Sequence, residues 1–196
     1  MQTASRYVRP ALESDLPALA HLHAAYTSWL RCGAGAAWGL DDVTAGASSL
    51  PAGAVEASLA GLGAARAASD RGAHLLAAVE DERAVGFVLS VPVASPAQCE
   101  AQPQGLELAS SATVELAFLV VSPAAGNGHA ERLLAALTDV CLDEEHAALR
   151  AWAPTPDAGL TALLTDSGFA EAGVEVQLAG EEGSAPVAAR MYVTTL

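Results

Sequence analysis

The 196-residue sequence predicts an α/β (α+β) fold, in which about six to seven strands and about four helices interleave along the chain. Three observations predict it. Residues 112–141, ATVELAFLVVSPAAGNGHAERLLAALTDVC, read as a strand, a glycine loop and a helix in succession. Residues 73–91 and 174–195 each read as two short apolar runs joined by a polar turn, the pattern of a hairpin. Residues 16–30 and 55–66 carry apolar positions at helical spacing.

The elements follow in order. Tyr7-Val8-Arg9-Pro10 is a short strand ended by proline, and Glu13-Ser14-Asp15 opens a helix with Ser14 as its expected cap. That helix runs about four turns on Leu16, Leu19, His23, Tyr26 and Leu30. His21 and His23 lie two apart, so a helix points them to different sides, and packing or exposure is expected of them rather than metal binding. The Gly-, Ala- and Ser-rich stretch 31–53 is a long connection carrying Trp38, Asp41 and Asp42. A second helix on Val55, Leu59, Leu62 and Arg66 stops near Gly72. The first hairpin turns at Glu80-Asp81-Glu82-Arg83, and 92–110 is a surface loop containing Cys99.

The central strand is apolar at Val114, Leu116, Phe118, Val120 and Val121 and stops at Ser122-Pro123. After the glycines, Ala130, Leu133, Leu134, Leu137 and Cys141 share one helical face. Residues 148–153 form a further strand. Thr155-Pro156-Asp157 starts a last helix, a cap followed by proline, which ends at Gly168-Phe169 before the terminal hairpin. The whole reads β-α-α-β-β-β-α-β-α-β-β, with no internal repeat.

Length and composition bound the rest. A chain of this size is expected to be one domain over residues 1–196, burying roughly 70% of its unfolded surface. Cys32, Cys99 and Cys141 form no CxxC pair, so neither a disulfide framework nor a zinc site is expected. The first ten residues lack a signal-peptide pattern and no apolar run reaches the ~18 residues of a membrane span, so a cytoplasmic location is expected. The net charge of -14, from 23 acidic and 9 basic side chains, argues against nucleic acid or an anionic membrane as partner and suits a cationic substrate.

A strand, a glycine loop and a helix form an anion site, because the first-turn N–H groups are unpaired and point at the ligand. A dinucleotide fingerprint would need glycine or alanine where Glu131 stands, and a nucleotide-triphosphate loop would need a Gly-Lys-Ser/Thr end that is missing. The remaining reading is a coenzyme A loop. Ala125-Gly126-Asn127-Gly128-His129-Ala130 with Leu133-Leu134 resembles the central motif of the GNAT superfamily of acyl-CoA-dependent N-acetyltransferases, Arg/Gln-x-x-Gly-x-Gly/Ala followed by a leucine pair. Val8-Arg9-Pro10-Ala11 with Asp15, Val85-Gly86-Phe87, and Gly168-Phe169 resemble three further stretches of that family, and the element order matches it over nearly the whole chain.

The resemblance implies a mixed central sheet flanked by helices, acetyl-CoA as co-substrate, no metal, and an acetyl transfer to a primary amine by direct attack in a ternary complex. The acceptor is a small-molecule or peptide amine, and a homodimer is allowed for. It implies that main-chain groups of Leu119, Val120 and Val121 pair with the pantetheine arm, and that main-chain N–H groups of Gly126, Asn127, Gly128, His129, Ala130 and Glu131 hold the pyrophosphate. Asp157, on the position of the family's asparagine, falls beside the pantetheine. Trp38, Asp41 and Asp42 are the candidate acceptor contacts. Glu115, the one acid inside an otherwise apolar strand, is the candidate catalytic base, with a glutamate on the strand's polar side as the alternative. Leu164 and Ala125 stand where the family usually has tyrosine and Arg or Gln, so a non-catalytic acyl-CoA-binding module is the second functional reading.

Overall fold

The computed structural model of the chain describes residues 5–31, 50, 53–93, 113–178 and 186–196. Among the described residues seven strands form one mixed sheet: β1 (Arg6–Pro10), β2 (His74–Glu80), β3 (Arg83–Pro92), β4 (Thr113–Val121), β5 (Ala148–Pro154), β6 (Ala170–Leu178) and β7 (Val187–Thr195), in the order β1-β2-β3-β4-β5-β7-β6. The helices among the described residues are α1 (Leu16–Arg31), α2 (Ala54–Ala67), α3 (His129–Asp143) and α4 (Ala158–Asp166). The expected element order and mixed sheet are both present. β4 and β5 run parallel and every other neighbouring pair is antiparallel.

Alternating side chains send the strands' apolar residues to two cores. Under α1 and α2 lie Leu19, Tyr26, Leu62, Ala77, Phe87 and Val120. Under α3 and α4 lie Val88, Val114, Leu133, Leu137, Leu149 and Leu164. Cys141 sits on the buried face of α3, and burial, then the nearby Glu144, pushes its thiol up to about 11. The edge strand β6 carries half-exposed Glu171 and Glu175, both near Arg190 of its neighbour β7, and charges on an edge blunt pairing with another chain.

One irregularity shapes everything downstream. The register between β3 and β4 shifts between Leu89 and Ser90, which face Phe118 and Leu116, so Ala117 is an extra residue in β4. A bulge of this kind bends its strand and reverses which residues face which side. Before it, Val114 and Leu116 face the α3 core. After it, Leu119 and Val121 do, while Val120 turns to the α1 core. The parallel ladder to β5 stops at the same place, with Leu116 opposite Ala151 as its last pair, although both strands continue.

Two expected caps are corrected. The first helix is entered through a 3-10 turn, Glu13–Asp15, whose start is held by the Asp15 carboxylate accepting from the Leu12 N–H at 2.8 Å and from Arg9, with no role for the Ser14 side chain. Arg9 holds the Asp15 carboxyl below its usual range. The cap of α4 is Asp157, whose Oδ1 accepts from the Leu160 N–H at 2.9 Å, and Thr155 instead donates to the Ala188 carbonyl. His21 is exposed, and His23 bonds Ser58 at 2.9 Å and packs edge-on against Phe118, so both behave as packing or surface residues. The surface loop with Cys99 lies outside the described residues.

Candidate active site

Where β4 and β5 part, a cleft of about 580 Å³ opens between the end of β4, the first turn of α3 and the length of α4. Leu119, Val120 and Val121 form its floor, Ala130 and Glu131 one end, and Asp157, Leu160 and Leu163 a wall. The cause is local and traceable: the Ala117 bulge bends β4 away from its parallel neighbour, and no further ladder pair forms between them. An elongated, partly apolar slot beside a strand edge suits an extended polar chain lying along that edge.

The loop at the end of this cleft is built on glycine conformations. Gly128 caps α3 with φ +87° and ψ 7°, in the left-handed region that ordinary side chains resist. This turn leaves the first N–H groups of α3 directed past the loop, with the positive end of the helix dipole behind them. Gly126 has a different task. Its N–H donates to Glu80 Oε2 at 3.0 Å, and the Arg6 guanidinium lies where a Cβ on Gly126 would be. Arg6 in turn donates to Glu80 Oε1 at 2.6 Å. His129 is 1% exposed, with Nε2 3.5 Å from Glu80 Oε2, so its ring faces the sheet rather than the cleft. Glu80, at the end of β2, thus ties the loop to β1 and to the start of α3.

The Gly126 N–H, then Arg6, hold the Glu80 carboxyl below its ordinary value of 4.5. A carboxyl depressed on folding adds stability that is complete above the unfolded value and is lost as pH falls through the folded one. Wild type is therefore expected to melt higher than Glu80→Gln near neutral pH, with the gap closing as pH falls below about 4.5. Melting curves of the two proteins from pH 7 to pH 3 check this, and a gap that stays constant would show that Glu80 is not linked to the fold by its charge.

A second cavity, of about 260 Å³, lies along the preceding stretch of β4, residues 115–119. Glu115, Phe118 and Leu119 of β4, Trp152 and Pro154 of β5, Leu30 of α1 and Leu178 of β6 line it. Tyr26, Leu119 and Leu160 line both cavities. Tyr26 is 4% exposed and donates its hydroxyl to Asp157 Oδ2 at 2.6 Å. Burial first, and then the Asp157 carboxylate, push its phenol well above the ordinary value of 10, so it keeps its proton. Glu115 is paired with Arg150, its register partner across the parallel β4–β5 ladder, and both contacts fall on Oε2, at 2.6 and 2.8 Å.

Comparison with known proteins now decides the family. The sequence profile described as acetyltransferase (GNAT) family matches residues 47–169, more than half of the chain. The chain belongs to this family. No curated protein matches the sequence. Among solved structures, the GNAT chain resembles the PaiA N-acetyltransferase of Thermoplasma acidophilum in complex with coenzyme A, with 14% identity, TM-score 0.65, and coverage of 98% of this chain and 99% of that one. It also resembles a GNAT superfamily phosphinothricin acetyltransferase of Sinorhizobium meliloti in complex with acetyl-CoA, at 17% identity, TM-score 0.64, and coverage of 100% and 89%. A ribosomal-protein-alanine N-acetyltransferase of Brucella melitensis is 22% identical, with TM-score 0.63 and coverage of 96% and 99%. At these identities the likeness is one of fold.

Within this GNAT fold the expected site residues separate into groups. Leu119, Val120, Val121, Ala130, Glu131 and Asp157 all line the larger cleft. Asn127 is exposed beside it and Gly128 makes the turn. The side chain of His129 and the N–H of Gly126 are directed elsewhere, to the Glu80 cluster. Glu115 lines the smaller cavity, and it is not the isolated strand acid the sequence suggested, because Arg150 faces it. Trp38, Asp41 and Asp42 lie outside the described residues. Leu164, on the position of the family's tyrosine, is fully buried in the α3 core, and Tyr192 belongs to that core too.

Sequence reading overlooked Tyr26, Glu80, Arg6, Arg132 and Arg150. Tyr26 reads as one more apolar position of α1, although a buried tyrosine hydroxyl requires a partner and this is a usable signal. Arg132 donates to the Gly128 carbonyl at 3.0 Å, which lays its guanidinium along the glycine turn. Nothing in the sequence pairs Glu80 with a loop 46 residues away. Among the described residues, no group of three or more His, Cys, Asp or Glu is placed to hold a metal ion, and no helix is long and apolar enough to cross a membrane.

Proposed function

We propose that this GNAT chain transfers an acetyl group from acetyl-CoA to a primary amine by direct attack within a ternary complex. The observation that carries the reading is the pair of cavities meeting at Tyr26, Leu119 and Leu160. One suits the elongated coenzyme and the other the acceptor. A thioester placed at their junction meets the amine without any covalent relay through the protein. The amine's C–N bond forms as the thioester C–S bond breaks, and the proton lost by the amine ends on the departing thiolate, so one N–H bond is exchanged for one S–H bond.

The roles follow from position. The β4 edge at Leu119, Val120 and Val121 would pair with the amide-bearing arm of the coenzyme, as a strand receives an extended peptide. The first-turn N–H groups from Asn127 to Glu131 would receive the pyrophosphate, with the Arg132 guanidinium beside the turn adding the positive charge that Ala125 does not supply. Gly126 stays with Glu80 and keeps the loop in place. Asp157 serves as the α4 cap and the Tyr26 acceptor, so both of its oxygens already take donors from the protein. Tyr26 keeps its proton and sets the width of the junction. Glu115 offers Oε1 to the amine proton while Arg150 holds Oε2.

The test is turnover. Free thiol released from acetyl-CoA in the presence of a broad amine panel is expected above background, and Glu115→Gln is expected to lower kcat by roughly 100-fold, the usual contribution of a positioned base. Coenzyme A affinity of that variant is expected to match wild type, because Glu115 does not line the coenzyme cleft. Coenzyme binding with no thiol release on any amine would instead identify a non-catalytic acyl-CoA-binding module. Unchanged kcat in the variant would remove Glu115 from the chemistry.

A further inference from the structure

The acceptor cavity has a composition unlike that of the coenzyme cleft. The cleft is edged by Glu131, Asp157, Asp166 and Ser167. Among its described lining residues, the acceptor cavity presents Leu30, Phe118, Trp152, Pro154 and Leu178, and its sole charged group is Glu115. That charge is largely neutralised, because Arg150 approaches Glu115 Oε2 from two of its nitrogens. The chain as a whole is strongly acidic, with a net charge of -14, yet this cavity holds no unpaired acidic cluster among the described residues.

We propose that the acceptor is a primary amine carried on an apolar body, of the alkylamine or arylalkylamine class, rather than a polyamine or a polyhydroxylated amine. The proposal refines the acetyl-transfer reading above and rests on it for the chemistry, though not for the binding. Three arguments carry it. Apolar walls favour a ligand that is itself removed from water, by a factor of about four in affinity for each buried methylene. A hydroxyl or second ammonium placed against Leu30, Pro154 or Leu178 would lose its water and gain no hydrogen-bonding side chain, which costs roughly tenfold for each group. At interior packing density the cavity of about 260 Å³ accepts ~190 Å³ of ligand, a body of roughly ten non-hydrogen atoms.

The single carboxylate then fixes orientation. With the amine at Glu115 Oε1, the apolar body lies along Phe118 and Trp152. The nitrogen stays on β4, the strand that also lines the coenzyme cleft through Leu119. The Arg150 ion pair weakens the hold on a cation, which favours the neutral amine that attack requires. The second ammonium of a diamine meets no second carboxylate among the described lining residues.

The experiment uses the full chain loaded with coenzyme A, and separately with acetyl-CoA. Calorimetry measures binding of n-propylamine, n-butylamine, n-hexylamine and 2-phenylethylamine against ethanolamine and 1,4-diaminobutane, and thiol release measures turnover of the same six. The proposal expects affinity and kcat/KM to rise about threefold to fourfold per added methylene, with ethanolamine and the diamine at least tenfold below n-butylamine. Trp152→Ser is expected to flatten the methylene gradient while coenzyme A affinity, measured on the same preparation, shows that the variant is folded. If that variant does not fold, the wild-type series decides alone. A binding gradient without thiol release would uphold the cavity assignment and overturn the transfer reading. Thiol release without a gradient, or with ethanolamine or the diamine preferred, would overturn the cavity assignment and leave the transfer reading standing. Absence of both binding and release would overturn both.

Discussion

Gly128→Asp is expected to lower coenzyme A affinity at least 100-fold while leaving a folded protein. Gly128 is the cap of α3, and a Cβ there points at the Arg132 guanidinium, which is proposed to stand beside the pyrophosphate, so a carboxylate at 128 would both approach the phosphate and compete with it for Arg132. A carboxylate about 4 Å from a phosphate costs ~4 kcal/mol at an effective dielectric constant of about 20. This corresponds to roughly three decades of affinity before salt screening. The backbone term is smaller. At φ +87° a residue with a Cβ is strained by about 1–2 kcal/mol, and aspartate tolerates the region better than most. The nearest atom to that Cβ is Arg132 Nη1 at 3.3 Å, the movable end of a long side chain. Gly128→Asn shares the strain without the charge and is expected to stay within about tenfold of wild type. Calorimetry on the three proteins separates the terms, and an aspartate variant that binds as well as wild type would place the pyrophosphate elsewhere.

The largest expected effect on stability comes from Gly86→Val. Gly86 is buried in β3 directly opposite Val121, and a Cβ on it would stand 2.8 Å from the Val120 carbonyl oxygen and 3.1 Å from the Val121 Cα. Both neighbours are main chain held in the β3–β4 ladder, so neither can step aside without breaking register. A loss of about 3 kcal/mol or more is expected, lowering Tm by roughly 6–12 °C in a chain of this size. The same displacement reaches the floor of the larger cleft, the proposed coenzyme site, so coenzyme affinity should fall in whatever fraction folds. Gly61→Ala makes the opposite comparison. It lies in α2 with nothing within 4 Å of a Cβ, so the change is expected to stabilise by about 0.5–1 kcal/mol. Thermal melts of the two variants side by side check both signs. A Gly86→Val protein that melts with wild type would contradict the close packing of β3 on β4.

Both predictions concern glycines, but the sequence by itself proposed a role in binding for only one of them. Gly128 stands in a local pattern, strand then glycines then amphipathic helix, whose meaning depends on residues within about 15 positions of it. Gly86 was visible only as part of a Val-Gly-Phe resemblance, because what a Cβ would strike belongs to a strand more than 30 residues further on.

The local signals were sufficient for the seven strands, the four described helices and the loop that opens α3, since hydrophobic periodicity and turn residues act over a few positions of chain. Three matters were settled by pairing in space. The Ala117 bulge arises from the register between β3 and β4, and it both turns Leu119 and Val121 toward the α3 core and ends the ladder to β5. Arg150 meets Glu115 through a parallel pairing across 35 residues, which makes a lone strand acid into an ion pair. Tyr26 meets Asp157 across 131 residues, and this contact joins α1 to the cap of α4 at the wall shared by both cavities. The division has a physical reason. Which face of a strand or helix is apolar is written in the order of its own residues, whereas the partner of a charge or a hydroxyl depends on where a distant segment is carried by the packing of the whole sheet.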